Sequence, residues 1–312
     1  MMAGRPALVL VALLGCGSPE TPRAQMMGPG PSERGQYLVL HVAACIFCHS
    51  TLDWKAEGFP PREGAAGAGR APFTDALPWL TAPNLTPDRE TGSGRWSDEQ
   101  FDRAIRRGIG ADERLLHPAM PSAAYHSMTD DDVAAVVAYL RSLRPLRNAL
   151  PSTRLPEDVR TRLRPLPPAS NRGASEKRGE YLATIAACGR CHTPADGSGA
   201  PIPGLEFAGG LRLKGPWGEL RSPNLTPDAS GIECLGERDF LRAMKTGEMP
   251  GHTLNAVMPW GYYRGMTDED LRAIYSYLQG LRPVRHFVDN NVAPTPCRKC
   301  GSPHGLGDKN RE

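Results

Sequence analysis

Cys45-Ile46-Phe47-Cys48-His49 and Cys188-Gly189-Arg190-Cys191-His192 are the stretches of sequence that decide the fold, and both have the form Cys-x-x-Cys-His. One chemistry suits this spacing: two thiols add across the two vinyl groups of a haem, and the adjacent His turns its imidazole toward the iron. We therefore predict two covalent haem c groups, with His49 and His192 as iron ligands.

Cys-x-x-Cys also occurs in redox dithiols, zinc sites and disulfides. A thioredoxin-type dithiol follows a strand in a βαβ unit. Each motif here instead follows a predicted helix, in a chain with few strand signals. The sequence thus favours haem attachment over the three alternatives.

The motifs are part of a long internal repeat. The copies lie about 140 residues apart and keep the same order. The recurring segments are Arg34-Gly35-Gln36-Tyr37-Leu38 with Arg178-Gly179-Glu180-Tyr181-Leu182, Pro83-Asn84-Leu85-Thr86-Pro87-Asp88 with the identical run from Pro223, Met120-Pro121 with Met258-Pro259, and Met128-Thr129-Asp130 with Met266-Thr267-Asp268. We predict a first repeat at 33–147, a linker at 148–175 and a second repeat at 176–289.

Each repeat is predicted to begin and end with a helix. Opening helices are expected at 33–44 and 176–187. In the closing helices an apolar stripe recurs with helical spacing, a Thr–Asp pair resembles a capping box, and a proline follows the last turn. A short helix is expected near 98–107 and near 237–245, with loops elsewhere and no convincing strand pattern.

The second axial ligand must come from another segment. Met120 and Met258 lie in Pro-flanked loops before the closing helices, and methionine sulfur is a common haem ligand. Met128 and Met266 also repeat, but they adjoin the helix cap, where a methionine more often packs as core. His117, His126 and His252 are alternatives that do not recur. We predict Met120 and Met258 as the ligands.

This array of motifs resembles the di-haem and tri-haem cytochrome c proteins and cytochrome c subunits of bacterial membrane-bound alcohol and sugar dehydrogenases. The resemblance covers residues 33–147 and 176–286. It implies a mainly α, loop-rich chain of two tandem class I cytochrome c domains, in which the first and last helices cross beside the haem. It also implies that Gly35 meets Tyr139 and Gly179 meets Tyr277. Cys297-Arg298-Lys299-Cys300 is followed by Gly301 rather than His, so no third c-type haem is expected.

The N-terminal sequence resembles an export signal. Arg5 precedes an apolar run of eight residues, Ala7 to Leu14, which is too short to span a bilayer. The run ends at Leu13-Leu14-Gly15-Cys16, which resembles a lipobox, with simple secretion as the alternative. We predict a signal peptide at 1–15, a lipidated Cys16, a tether at 16–32 and a loose tail at 290–312. The protein would then lie on the periplasmic side of a bacterial membrane.

Charge and the motifs that are missing restrict the classes of function to consider. The net charge of +3 and the lack of a helix-turn-helix or P-loop argue against nucleic acid as a partner. We expect an electron carrier that exchanges electrons with a dehydrogenase, an oxidase or another cytochrome and catalyses no bond chemistry itself. A di-haem peroxidase is the alternative. It would need one iron with an open coordination position, and the Met-Pro pair in both repeats argues against that. Cys297 and Cys300 are expected to form a small disulfide or to have no role, rather than to bind a metal with His304, because a fourth ligand is lacking. Cys234 is expected to be structural.

Overall fold

The computed structural model describes residue 1 and residues 31–168, 177–197, 199–215, 218–255 and 257–289. The helices of the first repeat are Pro31–Tyr37, Cys45–Cys48, Asp98–Asp102, Ser122–Tyr125 and Asp130–Ser142, with π-helical turns at Leu38–Val42 and Arg103–Arg107. Those of the second are Arg178–Ile185, Cys188–His192, Glu237–Thr246, Trp260–Tyr263 and Asp268–Gln279. The predicted helix-rich, loop-rich character is confirmed.

Two small hairpins lie where only loops and a short helix were expected. Arg212–Gly215 pairs antiparallel with Gly218–Arg221, and Glu248–Met249 pairs with His252–Thr253. Strands of two to four residues are too short to show an alternating pattern, so periodicity could not reveal them.

In each repeat the opening helix crosses the closing helix at a glycine. A Cβ on Gly35 would lie 1.9 Å from the carbonyl oxygen of Ala135 and 2.9 Å from the Cβ of Tyr139. A Cβ on Gly179 would lie 2.0 Å from the carbonyl oxygen of Ala273. The backbones approach so closely that only glycine fits, and the expected glycine–tyrosine contacts are present.

Only one of the two hydrogen bonds of each predicted capping box forms. The Thr129 hydroxyl accepts a hydrogen bond from the Asp132 N–H at 3.1 Å, as a cap should. The Asp132 carboxylate does not return to the Thr129 backbone. It accepts two hydrogen bonds from Arg34 of the opening helix, at 2.8 and 2.7 Å. In the second repeat Thr267 caps its helix in the same way, and Arg178 pairs with Asp270.

The group that completes each cap comes from the other repeat. The Tyr181 hydroxyl donates to Asp132 Oδ2 at 2.5 Å and accepts from the Thr129 N–H at 3.3 Å. Reciprocally, the Tyr37 hydroxyl donates to Asp270 at 2.6 Å and accepts from Thr267 at 3.2 Å. Each opening helix therefore contributes a tyrosine that ties it to the closing helix of the other repeat.

Aromatic packing extends this contact between the repeats. The Tyr262 ring meets the Phe47 ring edge-on with centroids 5.3 Å apart, and its hydroxyl donates to the Phe59 carbonyl at 3.0 Å. Arg264 and Glu57 form an exposed ion pair at 3.1 Å beside them. One apolar core runs through both repeats as a result.

The described part of the predicted linker, residues 148–168, lies against the first repeat. It includes a short helix, Glu157–Arg160, where only extended chain was expected. Arg154 N–H donates to the Trp79 carbonyl at 2.9 Å, and the Thr81 N–H donates to Thr153 Oγ1 at 3.1 Å. The predicted signal peptide, tether and tail, with Cys16, Cys297 and Cys300, lie outside the described residues, apart from Met1 and the start of the opening helix. None of the described helices is long and apolar enough to cross a bilayer.

Candidate functional site

The two attachment motifs begin at a sharp turn of the backbone. Ala44 and Ala187, directly before the first cysteines, adopt left-handed conformations with φ of 47° and 56°. This conformation costs a non-glycine residue about 1–2 kcal/mol. It ends the opening helix and starts a new one in another direction, which turns the motif toward the interior. Sequence reasoning missed this pair, because alanine carries no signal for a positive φ.

Both pairs of thiols lie on single helical turns and are half-buried. All four cysteines are free thiols. Burial raises the pKa of Cys45 and of Cys188 to about 12, and the neighbouring cysteine adds to each shift. A redox-active dithiol needs a lowered pKa instead. The structure therefore argues against both the disulfide and the redox dithiol.

His49 and His192 are buried, and each has one ring nitrogen already engaged. His49 Nδ1 lies 2.8 Å from the Pro83 carbonyl oxygen, and His192 Nδ1 lies 2.9 Å from that of Pro223. A carbonyl can only accept, so Nδ1 carries the proton and Nε2 keeps a lone pair for a metal. Burial lowers the pKa of His49 to about 4. The charge of Arg70 also lowers this pKa, whereas the hydrogen bond to Pro83 raises it. The ring is thus neutral, which is the form that binds iron.

The repeated Pro-Asn-Leu-Thr-Pro-Asp segment holds these carbonyls in place. Asn84 Oδ1 accepts from the Thr86 N–H at 2.9 Å, and Asn84 Nδ2 donates to the Leu146 carbonyl at 2.7 Å. Asn224 makes the matching bonds to Thr226 and Val284 at 2.8 and 2.9 Å. The repeat in sequence revealed the segment but not its task, which is to position the carbonyl that orients the histidine.

A cavity of about 740 Å³ opens beside the first motif. Its wall is mostly apolar and includes Cys45, Cys48, His49 and Met120. Cys191, Pro259 and Tyr263 of the second repeat also contribute to it. The volume is within the usual range for cofactor sites. Two thiols, a neutral imidazole with a free Nε2 and an apolar cavity together fit a covalently attached haem.

Both candidate methionines of the first repeat line this cavity. Met128 is 1% exposed, whereas Met120 is only half-buried. In the second repeat Met266 is likewise 1% exposed and Met258 half-buried. Proximity alone does not choose within either pair, although the deeper burial of Met128 and Met266 is typical of core packing.

The histidine alternatives occupy different positions. His117 lines the cavity, with its ring centroid 5.2 Å from that of Trp79. Its Nδ1 accepts the Ala119 N–H at 3.0 Å. His126 Nδ1 bonds to the Arg106 carbonyl at 3.0 Å. Cys234 is exposed and forms no disulfide with another described cysteine.

Comparison with known proteins identifies the class. Residues 32–144 match the family model described as cytochrome c. This part of the chain, which contains the first attachment motif and its cavity, belongs to the cytochrome c family, whose members hold haem c covalently.

Individual related proteins indicate a narrower class within this family. The chain is 30% identical over 299 residues to the fructose dehydrogenase cytochrome subunit of Gluconobacter japonicus, covering 87% of this chain and 58% of that one. It is 30% identical to the cytochrome c subunit of a quinone-type alcohol dehydrogenase of Gluconacetobacter polyoxogenes, covering 81% and 56%. A diheme cytochrome c-type protein of Cereibacter sphaeroides is 27% identical, covering 82% and 87%. The chain is thus homologous to dehydrogenase cytochrome subunits and spans little more than half their length.

Proposed function

We propose that this protein is an electron carrier with two covalent c-type haems, one in each of two tandem class I cytochrome c domains at 33–147 and 176–289. The observation that carries the proposal is the duplicated site. Each repeat has two half-buried free thiols on one helical turn, followed by a buried histidine whose Nδ1 bonds to a proline carbonyl.

The chain's own residues explain why transfer, and not bond chemistry, is proposed. His49 with Met120, and His192 with Met258, would hold the two irons and leave no ligand position for a substrate. When bound, the haem supplies one-electron chemistry at its iron, and methionine ligation favours the reduced state. The apolar cavity wall excludes water, and the bonds to Pro83 and Pro223 fix the ring orientation.

The partners follow from the relatives. Because the relatives include cytochrome subunits of fructose and alcohol dehydrogenases, we propose a dehydrogenase as electron donor and an oxidase or another cytochrome as acceptor. The protein would work either as a free carrier or as a subunit of such a complex. Co-purification from the native host with a catalytic dehydrogenase chain would distinguish the two.

Haem counting tests the proposal. After acid–acetone extraction, the pyridine haemochrome assay should find two haems per polypeptide. Cys188→Ala/Cys191→Ala should lose only the second haem, and the matched Cys45→Ala/Cys48→Ala variant only the first, because each repeat has its own thiols. One haem in the parent protein would contradict the proposal. Rapid reaction of the resting protein with hydrogen peroxide at one iron would favour the peroxidase instead.

We also propose that Cys16 is lipidated and anchors the protein on the periplasmic side of a bacterial membrane. Support comes from the apolar run ending at Leu13-Leu14-Gly15-Cys16. One acyl chain binds membranes only weakly, so the several chains of a processed lipoprotein are needed. The protein should enter the detergent phase on Triton partition, and Cys16→Ala should remain in the aqueous phase. A free mature N-terminus would show simple secretion.

A further inference from the structure

Arg70 is a cation on the wall of the first cavity, and one of its hydrogen-bond donors is unsatisfied. Its Nε is buried and has no hydrogen-bond partner. The guanidinium lies over the Phe73 ring, 4.9 Å from its centroid, and it lines the same cavity as Cys48 and His49. No ion pair joins Arg70 to an acidic side chain among the described residues. Arg70 is half-buried and stays charged, so its buried Nε–H favours an anionic partner at this site.

The other arginines of this cavity each have an acidic neighbour or are exposed, although the Nε of Arg114, like that of Arg70, is buried without a hydrogen-bond partner. Arg114 lies 3.2 Å from Asp112, and Arg160 lies 2.7 Å from Glu157. Arg190 is exposed, so water solvates its charge. Arg70 is thus the cation whose partner must come from the cofactor. Haem c keeps two carboxylates on its edge after its vinyl groups have reacted, and guanidinium–carboxylate pairs are strong.

The second repeat has no such cation at the matching position. The Gly69 N–H donates to the His49 carbonyl at 2.8 Å, and the Gly209 N–H to that of His192 at 2.7 Å. One residue further, the Arg70 N–H donates to Ala82 and the Gly210 N–H to Ser222. This shared backbone pattern makes Gly210 the counterpart of Arg70.

The space at Gly210 is already taken. A Cβ there would lie 2.7 Å from Cε1 of His286, and its φ is +90°. His286 is held by a hydrogen bond between Nδ1 and the Ala208 carbonyl at 2.9 Å. A long cationic side chain therefore has no room at this position.

The linker also contributes to the first site. Leu155 and Arg160 of the linker line the first cavity, and Leu155 adds apolar surface to it. A less hydrated site disfavours the more highly charged ferric iron, as does a nearby cation. Both features thus act in the same direction, toward a higher reduction potential at the first haem.

We infer that Arg70 binds a carboxylate of the first haem and makes that haem the higher-potential centre, so that electrons pass from the second haem to the first. In this step the ferrous iron held by His192 becomes ferric and the ferric iron held by His49 becomes ferrous. The inference rests on the proposed function, since it requires both haems. It deepens that function by giving the chain an entry site and an exit site.

Spectroelectrochemical titration of the full two-haem protein tests this inference. The haem content is measured first, so that a failure of the two-haem proposal is seen separately. Cys188→Ala/Cys191→Ala, which keeps only the first haem, should titrate at the higher of the two parent potentials. Arg70→Gln should shift the equilibrium between the haems about tenfold toward the second, which is about 59 mV for one electron.

Two further variants keep the result interpretable. Arg70→Lys retains the charge and should restore most of the shift, which a merely structural role would not do. Arg62→Gln removes an exposed arginine from the same loop and should change neither potential. If Arg70→Gln leaves both potentials unchanged, or if the remaining haem of the cysteine variant has the lower potential, the inference is wrong. If Arg70→Gln fails to retain haem, the cysteine variant still decides the order of the two potentials.

Discussion

At the scale of single residues, Met120 and Met128 are both candidates for the second ligand of the first iron, because both line the first cavity. Met128 is 1% exposed and follows the tight helix of Ser122–Tyr125, where it fills the core. Met120 lies before Pro121 in a loop, with its N–H bonded to the His117 carbonyl at 2.9 Å. A loop position leaves the sulfur free to bind iron, which favours Met120.

Substitution by leucine distinguishes the two methionines with little change in volume. Met120→Leu should lose about half of the weak long-wavelength band of methionine-ligated ferric haem, since one of two sites is affected. It should also open one iron to carbon monoxide and lower that haem's potential. Optical spectroscopy and redox titration measure these changes.

The matched control is Met128→Leu, which should keep the band and cost less than about 1.5 kcal/mol of stability. Met258→Leu and Met266→Leu repeat the comparison at the second site. Loss of the band in the Met128 variant, with its retention in the Met120 variant, would assign the ligand to Met128.

At the scale of elements, the crossing of opening and closing helices depends on Gly35. Gly35→Ala places a methyl group 1.9 Å from the Ala135 carbonyl oxygen, so the helices must separate. We expect a loss of about 1–3 kcal/mol, as is typical of overpacking, measured by denaturant unfolding of the holoprotein. Gly197→Ala is the control, because nothing lies within 4 Å of its added Cβ. Equal stability of the two variants would show that the crossing is not tight.

The reciprocal tyrosine caps predict a response to alkaline pH. Burial raises the pKa of Tyr37 to about 12, and the hydrogen bond to Asp270 adds to the shift. Burial and Asp132 shift the pKa of Tyr181 in the same direction. The folded state therefore holds these protons more tightly than the unfolded chain, in which tyrosine has a pKa of about 10. Their stabilisation is complete below pH 10 and is lost as the pH rises through about 12.

Tyr37→Phe should make this alkaline loss of stability shallower, because one of the groups that titrates is gone. Urea unfolding midpoints measured at steps between neutral pH and pH 12 report the slope. Tyr181→Phe should act similarly, and the double variant should show the sum of the two effects, since the two caps share no partner. A double variant with the slope of the parent protein would contradict the assignment.

At the scale of the whole molecule, Tyr262 joins the repeats. Its side chain is 7% exposed, packs on Phe47 and bonds to Phe59 across the contact. Tyr262→Ala should cost about 3 kcal/mol, as for other buried aromatic residues. It should also let the repeats move apart, which increases the radius of gyration in small-angle X-ray scattering while two haems remain bound.

Phe287→Ala provides the control for this prediction. Phe287 is 74% exposed, so its removal should change stability by less than about 0.5 kcal/mol. An unchanged radius of gyration in the Tyr262 variant would mean that the tyrosine caps and the linker hold the repeats together without it.

The sequence by itself determined the features that depend on neighbours along the chain. Cys-x-x-Cys-His places two thiols and an imidazole on one short helix, and a helical apolar stripe with a Thr cap predicts each closing helix. The internal repeat also predicted that the same elements occur twice. These patterns are readable because their physics is local: it depends on residues three or four positions apart.

Only the tertiary structure decided what depends on residues far apart in sequence. Asp132 was predicted to complete its own helix cap, but its carboxylate is bound by Arg34 and by Tyr181, which are 98 and 49 residues away. Arg70 carries no motif, and its importance arises because folding places it on the cavity wall with His49, where its Nε finds no hydrogen-bond partner among the described residues. The physical reason is desolvation: a charge or hydroxyl that is buried must find a partner in space, and the partner's distance along the chain does not limit that choice.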